Sequence, residues 1–448
     1  MIPSKNLNTL EKNCAQAVSV IEDLEFGARV ETVNATEAFL GSLPGDLTHN
    51  LRRPLINSAA VADLLPIFSP WHGEPSAPCP LYREKEPLLQ ALSPDESPFF
   101  LNLHTGDLGN TLVSGPPGSG KSVLLNALIL SLMRYSEMKI WAFERGFSLY
   151  VLCKKLEGEH VMLDGSVSLS PLRYLEDAED LSRARNFIRT LCTSSGEKLS
   201  ATAEKCLNEA LALLSTKSLE ERTLSDLMLL CSGSSELCLA LEPHLKRSGG
   251  GILDGTEDPG FKKKLTVFEC AALLERPHES THVLRHLLGR IRRECEKDIH
   301  PKAVILDEAW LMLQDETFCH ELISWLKTLR KHNTLIILST QSLADLDLTH
   351  CTEAIFDCIK TRIYLPNPDA SQAIFKPRYV AAGLNDTQIG SIAQAIPKRD
   401  LFIQKPGHFS RFRLLLSQEE LDVFTKSGAA ALLEPDQDRT TDGEKDAA

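Results

Sequence analysis

No apolar run in this 448-residue chain approaches the ~20 residues that a membrane-spanning helix needs. The longest candidate, Leu124 to Met133, stops well short. The opening segment, Met1 to Leu10, is polar and does not read as a secretory leader. Positive charge is also scarce, with 48 Lys and Arg against 61 Asp and Glu and a net charge of −13. That balance argues against broad, sequence-independent binding to nucleic acid and leaves open only a local basic face. None of the twelve cysteines belongs to a C-x-x-C pair, which removes the commonest zinc and dithiol motifs. They read as reduced core or surface thiols of a cytosolic protein. No internal repeat is present. The only biased stretch is the acidic, polar 434–448, which reads as a disordered tail. With 43% apolar and 24% charged residues the rest is ordinary globular protein, and the length predicts two or three domains.

Against that plain background one string stands out: Gly115-Pro116-Pro117-Gly118-Ser119-Gly120-Lys121-Ser122 fits G-x-x-x-x-G-K-[ST], the phosphate-binding P-loop. Glycines let the backbone curl so that consecutive N–H groups point at phosphate oxygens. The Lys121 ammonium can reach β- and γ-phosphates, and the Ser122 hydroxyl can hold Mg²⁺. The flanks suit the motif. Thr111 to Ser114 reads as a short buried strand, and Val123 to Tyr135 as a helix whose N-terminal dipole faces the anion.

A second site follows at Ala303-Val304-Ile305-Leu306-Asp307-Glu308, an apolar run ending in two carboxylates. Such a run predicts a central parallel strand, with the carboxylates at its ligand-binding end. Asp307 suits an outer contact to Mg²⁺ or its water, and Glu308 the base that orients an attacking water. Acidic residues at a helix start would look the same. Gln341, after the apolar run Thr334 to Ser339, is either a γ-phosphate sensor or an ordinary strand-end polar residue. Arg330, beside Lys327 and Lys331, is either a cation at a helix C-terminus or an arginine that reaches a neighbouring subunit's nucleotide. Glu144 and Arg145 end the strand Lys139 to Phe143, either near the metal shell or a subunit gap, or as a solvated turn.

Strand and helix alternate along the chain, which predicts an α/β fold with a mostly parallel sheet covered on both faces. Residues 1–65 read as helical and 66–97 as a proline-rich linker. An ATPase domain fills 98–433, with an all-helical insertion at about 176–247, where Leu207, Ala210, Leu211 and Leu214 keep helical spacing. His282 to Glu296 reads as a basic amphipathic helix.

Several strings together resemble the conjugative-transfer ATPases of type IV secretion systems. They are the P-loop, Phe143-Glu144-Arg145-Gly146, Leu306 to Trp310, Trp325 to Lys331, Ser339 to Ser342, Asn102 to Asp107 and Thr361 to Pro368. The similarity is greatest to the TrbE type, relatives of the fourth VirB protein, and spans about residues 30–425. It implies a RecA-like motor of the HerA/FtsK kind that binds ATP and Mg²⁺ and forms homo-oligomers, often hexamers. Such a motor works with secretion-channel and coupling-protein subunits at the cytoplasmic face of the inner membrane. It also favours Gln341 as the sensor and Arg330 as the finger. Residues 1–65 resemble only the last helices of the family's N-terminal domain. Two alternatives stand beside this reading: a DNA-translocating pump or coupling protein of the same superfamily, and a truncated nucleotide-binding remnant without turnover.

Overall fold

A computed structural model describes residues 6–23, 27–46, 48–49, 58, 71–80, 82, 85–193, 199–248, 251–308, 316–347 and 352–432. The expected tail at 434–448 and much of 47–70 lie outside these. The chain divides into two compact units, Met1–Ser69 and Pro70–Ala448. The first carries the helices Leu7–Asp23 and Ala35–Gly41.

The second unit is built on eleven strands: β1 (Leu89–Leu92), β2 (Pro98–Leu101), β3 (Thr111–Ser114), β4 (Lys139–Glu144), β5 (Glu159–Met162), β6 (Leu265–Glu269), β7 (Lys302–Leu306), β8 (Thr334–Thr340), β9 (Thr361–Tyr364), β10 (Leu401–Lys405) and β11 (His408–Leu414). They form one sheet in the order β2-β1-β11-β10-β9-β3-β8-β7-β4-β6-β5. From β9 to β5 every pairing is parallel, and from β9 to β2 every pairing is antiparallel. The expected mostly parallel α/β sheet is what forms.

Alternation along the central strands explains their unbroken apolar character. Trp141, Phe143, Val304 and Leu306 enter one core, while Ile140, Ala142, Ala303 and Ile305 enter the other. Both faces are therefore covered, and no position is left for a solvated side chain. One layer contains helix Lys121–Leu132, whose Leu124, Leu125, Leu128 and Ile129 are buried. The other contains helices Pro277–Lys297 and Glu316–Thr328.

The range 176–247 holds helices Ala178–Cys192, Ala201–Leu214, Leu224–Leu230 and Ser235–Leu241. Each starts at a side-chain cap: Asp177, Ser200, Thr223 and Ser234 accept the N–H three residues on. The proline-rich range 66–97 is more ordered than a linker from Leu89 onward, where β1 pairs with both β2 and β11. A four-residue strand without a β-branched or aromatic residue gives too little pattern to be read in advance. Strand β5 escaped the sequence reading because it is equally short. Among the described residues ten cysteines are free, whereas Cys319 is disulfide-bonded, so the all-reduced reading fails at that residue. Among the described residues no helix is long and apolar enough to cross a membrane.

His104 joins the parallel and antiparallel parts of the sheet. Its carbonyl accepts a 2.7 Å hydrogen bond from buried Lys405, and its ring packs where a Cβ on Gly109 would lie 2.5 Å from Nε2. Burial, reinforced by the Lys405 charge, lowers its pKa from 6.5 to about 4. The unfolded chain therefore takes up a proton that the folded chain refuses. Stability should fall as pH drops from 6.5 towards 4, by about 3 kcal/mol for this group. Urea unfolding across that range should show a shallower slope in His104→Gln than in the parent.

Candidate functional site

The P-loop leaves β3 and enters helix Lys121–Leu132 through two glycines with left-handed backbone, Gly118 (φ +77°) and Gly120 (φ +108°). Ser119 closes the turn on Pro116, its N–H and Oγ donating to that carbonyl at 3.2 and 2.6 Å. The loop is braced from two neighbouring strands. Gly115 N–H donates to the Thr340 carbonyl at the end of β8, and Leu365 N–H to the Ser114 carbonyl. A further brace comes from the loop before β10, where Lys398 N–H donates to the Ser119 carbonyl at 3.0 Å. The first N–H groups of a helix lack helical acceptors, so those of Lys121 and Ser122 are suited to an anion.

Strand register brings the other candidates to this point. Leu306 on β7 lies opposite Leu338 on β8, so Asp307 is level with Ser339 and Glu308 with Thr340. Ser114 on β3 lies opposite Thr340, so Gly115 is level with Gln341. The side chains meet accordingly. Lys121 Nζ is 2.6 Å from Glu308 Oε1 and 3.4 Å from Asp307 Oδ1. Gln341 Nε2 donates to Glu308 Oε1 at 3.0 Å, and Ser339 Oγ to Asp307 Oδ1 at 2.8 Å. Lys121, Asp307 and Glu308 are all buried. Burial raises the Asp307 carboxyl above the ordinary range, while the Lys121 charge acts the other way. Glu308 holds a left-handed backbone, φ +55°, an uncommon state for a long side chain and one that concentrates at functional sites.

Asp345 fixes the turn that carries Gln341, its Oδ2 accepting from Thr340 Oγ1 at 2.8 Å and Ser342 N–H at 2.9 Å. The sequence reading missed Asp345, Ser339 and the Lys398 brace. Only Ser339 had a visible signal, as a polar residue closing an otherwise apolar strand.

Two candidates stand apart. Arg330 lies in the 3₁₀ turn Leu329–His332 that precedes β8, at the end of the sheet opposite the P-loop. With ~3.3 Å per strand residue that is about 20 Å from Gln341. Its ion-pair partner is an exposed Asp107 at 4.0 Å, a pairing worth little. Glu144 is neither in a solvated turn nor beside Lys121. Its carboxylate is fully buried and accepts from Ser148 Oγ and Leu149 N–H, with His160 Nε2 at 3.1 Å. Glu269, alongside, takes the N–H groups of Gly146, Phe147 and Ala271. The donor atoms of Glu144, His160 and Glu269 lie within 4.8 Å of one another. Their hydrogen bonds fix the loop that carries Arg145.

Comparison with known proteins agrees with this geometry. The FtsK/SpoIIIE family model matches residues 78–138. Residues 1–52 match the CagE, TrbE, VirB family, component of type IV transporter system. The chain is 35% identical over 433 residues to the conjugal transfer protein TrbE of Rhizobium radiobacter, covering 94% of this chain and 52% of that one. It is also 35% identical over 415 residues to a probable conjugal transfer protein TrbE of Sinorhizobium fredii, covering 90% and 62%. The chain belongs to the TrbE/VirB4 family. It spans about half the length of the curated relatives it matches. The VirB4 structure from Thermoanaerobacter pseudethanolicus shares the fold, with a TM-score of 0.60 at 15% identity over 76% of this chain and 99% of that one.

A Cβ on Gly115 would sit 2.5 Å from Leu365 Cβ and 2.9 Å from Ser119 Oγ. Gly115→Ala should therefore displace the loop and weaken nucleotide binding at least tenfold, on the order of 1.4 kcal/mol. Adding Leu365→Gly, which removes the opposing Cβ, should restore part of the affinity in calorimetric titrations.

Proposed function

We propose that this chain is the ATP-hydrolysing motor part of a TrbE/VirB4-type subunit that energises conjugative transfer and type IV secretion. The observation that carries the reading is the convergence of Lys121, Asp307, Glu308 and Gln341 from three adjacent strand ends. In this reading the backbone of Gly115 to Ser122 cradles the phosphates, and Lys121 exchanges its carboxylate partners for β- and γ-phosphate oxygens. Ser122 and Asp307 supply a hydroxyl and a carboxylate, the hard oxygen donors that Mg²⁺ takes. Bound there, Mg²⁺ would supply charge neutralisation at the phosphates. Glu308 holds and deprotonates the attacking water. Gln341 donates to Glu308 and is placed to register the loss of the γ-phosphate.

Arg330 fits only an action in trans, since its own P-loop is at the far end of the sheet. That requires a homo-oligomer, and hexamers are the usual state of the motors this chain resembles. Channel and coupling-protein subunits would hold it at the cytoplasmic face of the inner membrane. The FtsK/SpoIIIE match at residues 78–138 favours a second reading, a DNA-translocating pump. Turnover stimulated by DNA with a steep salt dependence would select it.

Phosphate release by the full chain tests the central claim, and its absence under all conditions would leave a nucleotide-binding remnant. Glu308→Gln should keep ATP affinity and hydrolyse at least ~10²-fold slower, the scale of general-base loss. Lys121→Ala should lose both. Parental turnover in Glu308→Gln would place the base elsewhere.

For Arg330, turnover per chain should rise with protein concentration. Arg330→Ala should lose turnover while still binding ATP. Mixing it with Glu308→Gln should recover activity, because a mixed interface pairs an intact site with an intact arginine. First-order behaviour without rescue would reduce Arg330 to a cation at a helix end.

A further inference from the structure

The basic face of helix Pro277–Lys297 borders a cavity of about 350 Å³ that the ATPase reading does not use. Helix Ala178–Cys192, the segment around Ser170 to Tyr174 and Glu321 of helix Glu316–Thr328 complete its walls. That volume is within the range of small-ligand sites.

Buried donors without acceptors gather here. Ser170 Oγ, Arg290 Nε and Arg293 Nη1 are each buried with no hydrogen-bond partner, and all three residues line the cavity. A native fold rarely leaves such donors unmatched, so a cluster of them calls for an acceptor-rich occupant. Arg290 is more than nine-tenths buried. It is held by Glu294 and by Tyr174 Oη, its guanidinium 4.7 Å over the Tyr174 ring and its Nε 3.7 Å from Asp258 Oδ2. Arg293 spends one nitrogen on Asp180 Oδ2, at 2.9 Å, and stacks 4.1 Å over Tyr174. Both guanidinium planes are thus fixed before anything binds. Arg285, at the same wall, has no hydrogen bond or close ion pair with any described residue. The acids at the cavity differ in availability. Asp180 is bonded to Arg293, and Glu179 is paired with Arg183. Glu321 faces Arg285 and Arg292 only through longer-range attraction.

We propose that this cavity binds a compact anion carrying two oxyanion groups, recognised by Arg285, Arg292 and Arg293 with Ser170 as a neutral donor. The stacked arginines leave no free aromatic face for a base, which favours a small phosphate or carboxylate body over a nucleoside. Glu321 competes for the same cations. Its helix begins downstream of Asp307 and leads into β8, so occupancy of the cavity bears on the strand that ends at Gln341. The proposal does not depend on the catalytic roles assigned above.

The test uses the full chain carrying Lys121→Ala, which silences the P-loop as a competing phosphate site, without Mg²⁺ and at fixed ionic strength. Inorganic pyrophosphate and succinate are titrated separately while thermal unfolding is followed. A saturable rise in the midpoint with either probe is expected, and the probe that acts tells phosphate from carboxylate as the source. Adding Arg285→Gln should raise half-saturation at least about tenfold, the worth of one charge-assisted contact. Adding Glu321→Gln should lower it, an outcome that a purely structural cluster would not produce. Equilibrium dialysis with labelled pyrophosphate or succinate reads binding directly if either variant also changes stability. No saturable response to either probe, or an equal response in Arg285→Gln, overturns the proposal.

Discussion

A buried ammonium between two buried carboxylates is the constraint on which the architecture of this chain turns. Lys121 comes from the helix after β3, and Asp307 and Glu308 from the end of β7, 187 residues later in the case of the Glu308 bond. Burying any one of these charges alone would be costly, and grouping them offsets much of that cost. The grouping works only if β3 and β7 lie close with their C-terminal ends on one edge. Strand β8 sits between them and fixes the spacing, so that Ser339 meets Asp307 and Gln341 meets Glu308. The left-handed backbone at Glu308 belongs to the same requirement, since it turns the chain as β7 ends and leaves the carboxylate on Lys121.

What could be read in the sequence was whatever repeats a local rule. Continuous apolar runs announced β7 and β8, and the glycine-lysine spacing announced the phosphate loop. The fold class followed from their alternation with helices. Contacts between elements distant in sequence could not be read. Nothing around Glu144 says that it will be enclosed by Ser148, Leu149 and His160, because that depends on β5 lying beyond β6. Nor does the run from Trp325 to Lys331 reveal that Arg330 will stand at the far end of the sheet. That follows from the direction of β8, which is a tertiary fact. Short strands such as β1 and β5 were missed because four residues hold too little periodicity to separate strand from loop.

The antiparallel strands matter more to the site than their distance from the P-loop motif suggests. Leu365, just past β9, packs against Gly115, and Lys398, before β10, bonds to Ser119. Lys405 on β10 is itself buried, tied to Glu74 at 2.7 Å and to the His104 carbonyl. A loop whose glycines permit many backbone states costs more entropy to order than one with side chains. Contacts from β8, β9 and the loop before β10 hold it in one of those states before a ligand arrives. The antiparallel strands thus extend the sheet and also preorganise the loop.

On the other side of the sheet, Asn110 shows how the helical layer is joined to the strands of the site. Its Oδ1 accepts from Ile336 N–H in β8, and its Nδ2 donates to the Leu326 carbonyl near the end of helix Glu316–Thr328. That helix begins after the Asp307–Glu308 strand, passes Glu321 at the arginine-lined cavity, and returns the chain through the turn carrying Arg330 into β8. One continuous stretch therefore visits both catalytic carboxylates, the cavity, the exposed arginine and Gln341. Packed segments of this kind shift as units rather than atom by atom. A change at any one of these four points is consequently felt at the others through a helix and a strand, without any further linking element.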